Sequence, residues 1–175
     1  LRVAREFAYA HGPKTVIPRA THLGLVAHVL ACADLVNEHG SVIVLEDDLV
    51  VSPHFHGWAT KALQFYADDP SIGGISLYRY AMAEVCPAPF EPLDDGSDVH
   101  FIQFASSWGQ AWTREQWAGF REWDGTHTAE EKESVLPGFV QGWVGPSWKR
   151  RFIAYLVATS KYFVFPPASL TTNFG

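Results

Sequence analysis

Between residues 23 and 78 the chain alternates helix-period and strand-like segments, and this alternation limits the possible folds more than any other feature. Val26, Val29, Leu30, Ala33 and Val36 recur at helical spacing, with Thr21 as a candidate cap and Gly40 past the end, which predicts an amphipathic helix over about 23–38. VIVL (42–45) follows as a continuous apolar run, the pattern of a strand buried on both faces. Ser52 and Pro53 then offer a cap and a first helical residue. The helix they predict carries Phe55, Trp58, Ala59, Ala62, Leu63 and Tyr66 and ends at Asp68-Asp69-Pro70. IGGISLY (72–78) reads as the next strand. Upstream, 1–10 is helix-like as far as Gly12-Pro13, and TVIP (15–18) reads as a short strand. Helices alternating with short apolar strands predict an α/β protein with a mostly parallel sheet flanked by helices.

The second half is less regular. Pro87, Pro89 and Pro92 with Asp94-Asp95-Gly96 mark a long loop, and FIQF (101–104) is a predicted strand. Thr113 with Gln116 has the spacing of a capping box, ahead of a helix bearing Trp117 and Phe120; Thr128 with Glu131 repeats that spacing. Ser147 caps a predicted helix with Trp148, Phe152, Tyr155 and Leu156, and YFVFP (162–166) is a late strand.

At 175 residues and 47% hydrophobic content, the chain has the material for a single domain (1–175) with its own core. Because it opens at Leu1 inside a helix-like segment, a piece of a longer domain is expected. A net charge of -6 argues against a nucleic-acid binder or a polybasic membrane anchor, both of which need an electropositive face. No apolar run approaches the roughly eighteen residues of a transmembrane segment. Cys32 and Cys86 are too few for a disulfide framework and form no C-x-x-C pair, which fits a reducing compartment. A cytoplasmic protein, or one peripheral to a membrane, is the expectation.

VIVLEDDLVVSPHF (42–55) sets Glu46, Asp47 and Asp48 side by side where the apolar run ends. A helix cap explains them poorly, since the stronger helix start lies at Ser52-Pro53. If the strand continues through the triplet, Glu46 and Asp48 share one face and Asp47 takes the other. Ligands of open α/β sheets bind beyond the carboxyl ends of the strands, which is where the triplet falls. Hard carboxylate oxygens suit Mg²⁺ or Mn²⁺ in a site completed by phosphate oxygens and water. The alternatives are a solvated acidic turn, or carboxylates paired with arginine.

These residues carry a family resemblance. VIVLEDDLVVSPHF resembles the E-D-D segment of GT-A-fold glycosyltransferases, in particular the N-acetylglucosaminyltransferase I group and related bacterial glycosyltransferases. THLGLVAHVLACADLV (21–36) is similar to the helix before that segment, and SSWGQAWTREQW (106–117) to the Trp-Gly acceptor-side segment. SWKRRFIAYL (147–156) and KYFVFPPASLTTNFG (161–175) resemble the last helix and the strand that closes the sheet. The resemblance implies a GT-A, Rossmann-like sheet that here lacks its first nucleotide-binding strand. It also implies transfer of a sugar from a nucleotide-diphosphate donor, such as a uridine-diphosphate sugar, to a hydroxyl of a saccharide acceptor. Asp48 is then the ligand of Mn²⁺ or Mg²⁺, with Glu46 and Asp47 as donor contacts. Where the group has an aspartate base after the tryptophan resembling Trp148, this chain has Lys149, so the base and the stereochemical outcome stay unassigned.

Other residues have two readings each. Lys149, Arg150 and Arg151 lie in the first turn of the helix capped by Ser147, where positive charge opposes the helix dipole. A donor diphosphate would resolve that conflict, with Lys149 and Arg151 stabilising the leaving group; an exposed basic face is the plainer reading. Trp108, Trp112, Trp143 and Trp148 offer flat faces for a sugar ring or fill the core, and Trp108, in the Ser-Ser-Trp-Gly run, is the favoured site-lining residue. His28 is a candidate for a donor phosphate, or a surface residue like His22. His54 and His56 are two apart and cannot share a helix face. Gly74, next to Gly73 inside a strand, marks close approach of donor or of backbone. Two further functions remain compatible with these residues: a metal-dependent phosphoesterase, and a non-catalytic saccharide-binding domain.

Overall fold

The computed structural model describes residues 1–86 and 88–174; Pro87 of the predicted loop and Gly175 lie outside the described residues. The chain folds as an α/β protein around a five-stranded mixed sheet flanked by helices. The apolar run forms β1 (Ser41–Val44) and stops one residue sooner than predicted. After it come a short β2 (Leu49–Val51) and α4 (Phe55–Phe65), with α1 (Arg2–Glu6), α2 (Leu25–Ala33) and α3 (Val36–His39) upstream. Then follow β3 (Ile72–Ser76), β4 (His100–Ile102), β5 (Gln110–Thr113), α5 (Arg114–Thr126), α6 (Ala129–Ser134) and α7 (Gly138–Gln141). The chain closes with α8 (Trp148–Ala158), β6 (Tyr162–Phe165) and β7 (Thr171–Asn173).

The sheet order is β1-β5-β3-β6-β4, and β2 pairs with β7 in a separate ribbon. β1, β3 and β6 run in one direction, but the sheet is not mostly parallel. β5 lies between β1 and β3 and is antiparallel to both, β4 is antiparallel to β6, and β3 with β6 is the parallel pair. β1 is therefore an edge strand and only Val44 is buried, which corrects the expectation of a strand buried on both faces.

Alternation along each strand divides the core in two. Val44, Trp112, Phe163 and Phe165 face α2, α5 and α8, whereas Ile75, Ala111 and Val164 face α4 through Ala62 and Leu63. Between them the helices bury both faces of the sheet, the usual solution for a strand set of this kind. Three local expectations differ. TVIP forms no strand, the 23–38 helix is split at Asp34-Leu35 and has Gly24 rather than Thr21 at its N-cap, and α4 has its N-cap at His54, whose N–H donates to Ser52 Oγ at 3.2 Å. Among the described residues no helix is long and apolar enough to cross a membrane.

Both predicted capping boxes form. At the first, Gln116 N–H donates to Thr113 Oγ1 at 3.2 Å and Thr113 N–H donates back to Gln116 Oε1 at 3.0 Å, with both residues buried. Thr113→Ala is expected to cost about 1–2 kcal/mol, the upper half of the range for a lost cap, because the freed N–H is buried. Thr128→Ala, on an α6 that buries none of its residues, should cost less than about 1 kcal/mol. Urea midpoints of the two variants check this; equal shifts would contradict it.

Candidate functional site

Register places several loops at one edge of the sheet. Val44, the end of β1, and Ser76, the end of β3, both lie opposite Gln110 at the start of β5. The turn after β1, the segment after β3 and the segment before β5 therefore gather at the carboxyl ends of the parallel strands. This is where open α/β sheets bind ligands.

The acidic triplet sits in that turn. Asp47 and Asp48 form a tight turn between β1 and β2 rather than a continuation of the strand, which corrects the strand-face argument. What fixes the turn is β7, which pairs with β2 so that Leu49 lies opposite Asn173. Asn173 Nδ2 donates to Asp48 Oδ2 at 2.7 Å, and Phe174 N–H donates to the Asp48 carbonyl at 3.3 Å. Among the described residues, the other carboxylate oxygen, Asp48 Oδ1, is buried and has no hydrogen-bond partner. Buried carboxylate oxygens ordinarily have partners, so this atom is a candidate ligand. Glu46 is half-buried, and its acid is raised above the usual carboxylate range by burial and then by the charges of Asp48 and Asp47. Glu46 and Asp48 thus share one electrostatic environment, although a turn rather than a strand brings them together. Asp47 is exposed.

The same ribbon reaches Trp108. Thr171, two residues before Asn173 and on the same side of β7, donates its hydroxyl to the Trp108 carbonyl. Gly109 holds φ +90, and a Cβ there would lie 3.0 Å from Thr171 Cγ2 and 3.1 Å from Leu77 Cβ, so both conformation and space demand glycine. Trp108 meets Tyr78 edge to face, with centroids 4.6 Å apart. Together with Tyr80, Glu84, Ser107 and Lys149, they line a cavity of about 490 Å³.

Lys149 is the unexpected member of this wall. Its side chain is 12% exposed, and its Nζ donates to Tyr80 Oη at 3.0 Å and lies 3.5 Å from Glu84 Oε1. Nζ also sits over the rings of Phe104, Trp143 and Tyr80, at 4.4, 5.0 and 5.3 Å from their centroids. Burial lowers the ammonium below the ordinary lysine range, against the support of Glu84. Burial and then Glu84 push the Tyr80 phenol well up, so it stays protonated. Lys149 is thus a hydrogen-bond donor in the cavity wall.

The other basic residues of α8 are taken by carboxylates of this chain. Arg150 pairs with Glu133, and Arg151 binds Asp124 through both oxygens, with Nε at 2.8 Å from Oδ1. The anion that the helix start calls for is supplied by protein, which corrects the expectation that a diphosphate supplies it. Gly74 is likewise explained by packing: a Cβ there would lie 2.6 Å from both Phe163 Cε2 and Trp112 Nε1. Trp112 and Trp148 are core residues. His28 is exposed on α2, 3.8 Å from Cys32 Sγ, in a cavity formed by Arg19, Thr21, His22 and their neighbours. Of the candidates, Glu46, Asp47 and Asp48 lie after the end of β1, and Trp108 and Lys149 line the cavity beside Tyr78. Asn173, Thr171, Tyr78, Tyr80 and Glu84 were missed; only the Tyr78-Arg79-Tyr80 run directly after a strand offered a signal.

Among the described residues no group of three or more His, Cys, Asp or Glu side chains is able to hold a metal. A cation here would have one or two protein carboxylates, the sparse pattern that suits Mg²⁺ or Mn²⁺ shared with phosphate oxygens. No family model and no curated protein matches this chain.

Proposed function

We propose that this domain belongs to a metal-dependent glycosyltransferase of GT-A type that moves a sugar from a nucleotide-diphosphate donor to a saccharide hydroxyl. One observation carries the reading: Asp48 is clamped through one oxygen by Asn173 and leaves the other buried and, among the described residues, unpartnered, beside a second crowded carboxylate, Glu46. A bound Mn²⁺ or Mg²⁺ supplies Lewis-acid stabilisation of the leaving diphosphate. Asp48 then contributes the ligand oxygen. Glu46 and Asp47 lie beside it to receive donor hydroxyls, and Asn173 holds Asp48 in place so that no reorganisation is needed when the donor arrives. Across the strand ends, Trp108 and Tyr78 offer aromatic surface to the acceptor ring and Lys149 a hydrogen-bond donor to its hydroxyls.

Calorimetric titration tests this. Uridine diphosphate is expected to bind in the presence of Mn²⁺, and Asp48→Ala should weaken that binding by roughly 100-fold or more, since even outer partners of metal ligands cost about 10–100-fold. Binding that ignores Mn²⁺, or that survives Asp48→Ala, would sink the proposal. A second reading, a saccharide-binding domain without catalysis, is favoured by Lys149, whose ties to Tyr80 and Glu84 occupy the place where the family's base would stand.

A further inference from the structure

Resting on that reading of the same cleft, we propose that the acceptor is a saccharide bearing an apolar aglycone, alkyl or aryl, which lies in a second chamber continuous with the sugar site. This chamber, of about 290 Å³, adjoins the 490 Å³ cavity and shares Tyr80, Met82, Ala83 and Glu84 with it. The two differ in chemistry. The first presents Lys149, Ser107 and phenol groups next to Trp108, with Glu84 shared, whereas the second is walled by Val85, Phe90, Ile102, Phe104, Pro137 and Phe139, with Gln103, among the described residues, the one polar residue of its own. One molecule that fills both must be polar at one end and apolar at the other.

The edge the two chambers share is tied by backbone bonds. Ala83 N–H donates to the Ala88 carbonyl at 2.9 Å, Phe90 N–H donates to the Ala81 carbonyl at 3.0 Å, and Met82 bridges to Pro89. Tyr80, at the junction, packs edge to face on Phe104 with centroids 5.6 Å apart and bonds its hydroxyl to Lys149. The same ring therefore shows a polar tip to one chamber and an apolar body to the other. Met82, Val85 and Phe139 are 49%, 61% and 37% exposed, an apolar rim that an alkyl or aryl group would cover. Lys149, on the first chamber, and Glu84, shared by both, compensate each other, so the shared edge carries no net charge.

Methyl, butyl and octyl β-glucosides and β-galactosides, below their micelle concentrations and with no nucleotide or metal, are the probes, followed by tryptophan fluorescence. Each methylene removed from water is expected to raise affinity roughly fourfold, so butyl glycosides should bind at least about tenfold tighter than methyl ones. Val85→Asp, at a 61% exposed position, and Phe139→Asp, with its fold checked by circular dichroism because Phe139 stacks on Phe104, should erase the chain-length dependence and keep methyl-glycoside affinity. Retention on vesicles carrying a glycolipid would assign the aglycone to a lipid, and capture of soluble glycosides alone to a free one; both support the proposal. Equal affinity along both series, no binding by either, or a chain-length dependence untouched by the two variants would overturn it. A chain-length effect without Mn²⁺-dependent nucleotide binding would sink the transferase reading and leave the two-chamber site standing.

Discussion

Replacing Asp124 by alanine is expected to lower the free energy of unfolding by about 3 kcal/mol, the cost of leaving buried cations without their counter-charge. The Asp124 side chain is 2% exposed and joins three helices: it lies on α5 and binds Lys132 of α6, with Nζ 2.9 Å from Oδ1, and Arg151 of α8. Arg151 and Lys132 keep 35% and 16% exposure, so water relieves part of the loss and the lower end of the range for broken buried pairs applies. Burial alone would raise the Asp124 carboxyl, but the bonds from Arg151 and Lys132 outweigh it and hold it below the usual carboxylate range. The folded group is then the stronger acid. Its stabilisation is fully present above the ordinary aspartate range and is lost as pH falls through its own depressed value. Urea midpoints should thus show wild type and Asp124→Ala far apart at neutral pH and converging on acidification. A neutral-pH difference within about 0.5 kcal/mol would contradict this, as would divergence toward acid. Because α8 carries Lys149 into the cavity wall, the same variant should also loosen that wall.

Gly74→Ala is expected to cost about 3 kcal/mol, the upper end for overpacking, while leaving nucleotide affinity of the folded fraction unchanged. A methyl group there meets Phe163 and Trp112 at 2.6 Å, and both rings are fully buried and locked among other aromatics. Neither ring has room to yield. The measurement separates two meanings of the residue: a thermal shift with unaltered uridine diphosphate binding marks packing, whereas unaltered stability with lost binding would restore Gly74 to the donor site.

How much was legible in the chain follows the range of the interactions concerned. The capping boxes at Thr113 and Thr128, the Ser147 cap and the apolar faces of α4 and α8 were readable, because each is set by residues a few positions apart. The common direction of β1 and β3 was readable too, because a helix between two strands returns the chain to the same end. β5 was not. Gln110-Ala111-Trp112-Thr113 has no apolar run or strict alternation of its own, and it becomes a strand because it fills the gap between β1 and β3.

The candidate site divides in the same way. A cluster of carboxylates at the end of an apolar run is a local fact, so the sequence by itself determined that Glu46, Asp47 and Asp48 would stand at a strand end. Which oxygen is held and which is left open depends on Asn173, 125 positions away, and the cavity wall depends on Lys149 meeting Tyr80 and Glu84 across separations of 69 and 65. Only the tertiary structure decided these, and also that Arg151 serves Asp124 rather than a ligand, because a charged side chain takes whichever partner the packed helices bring to it.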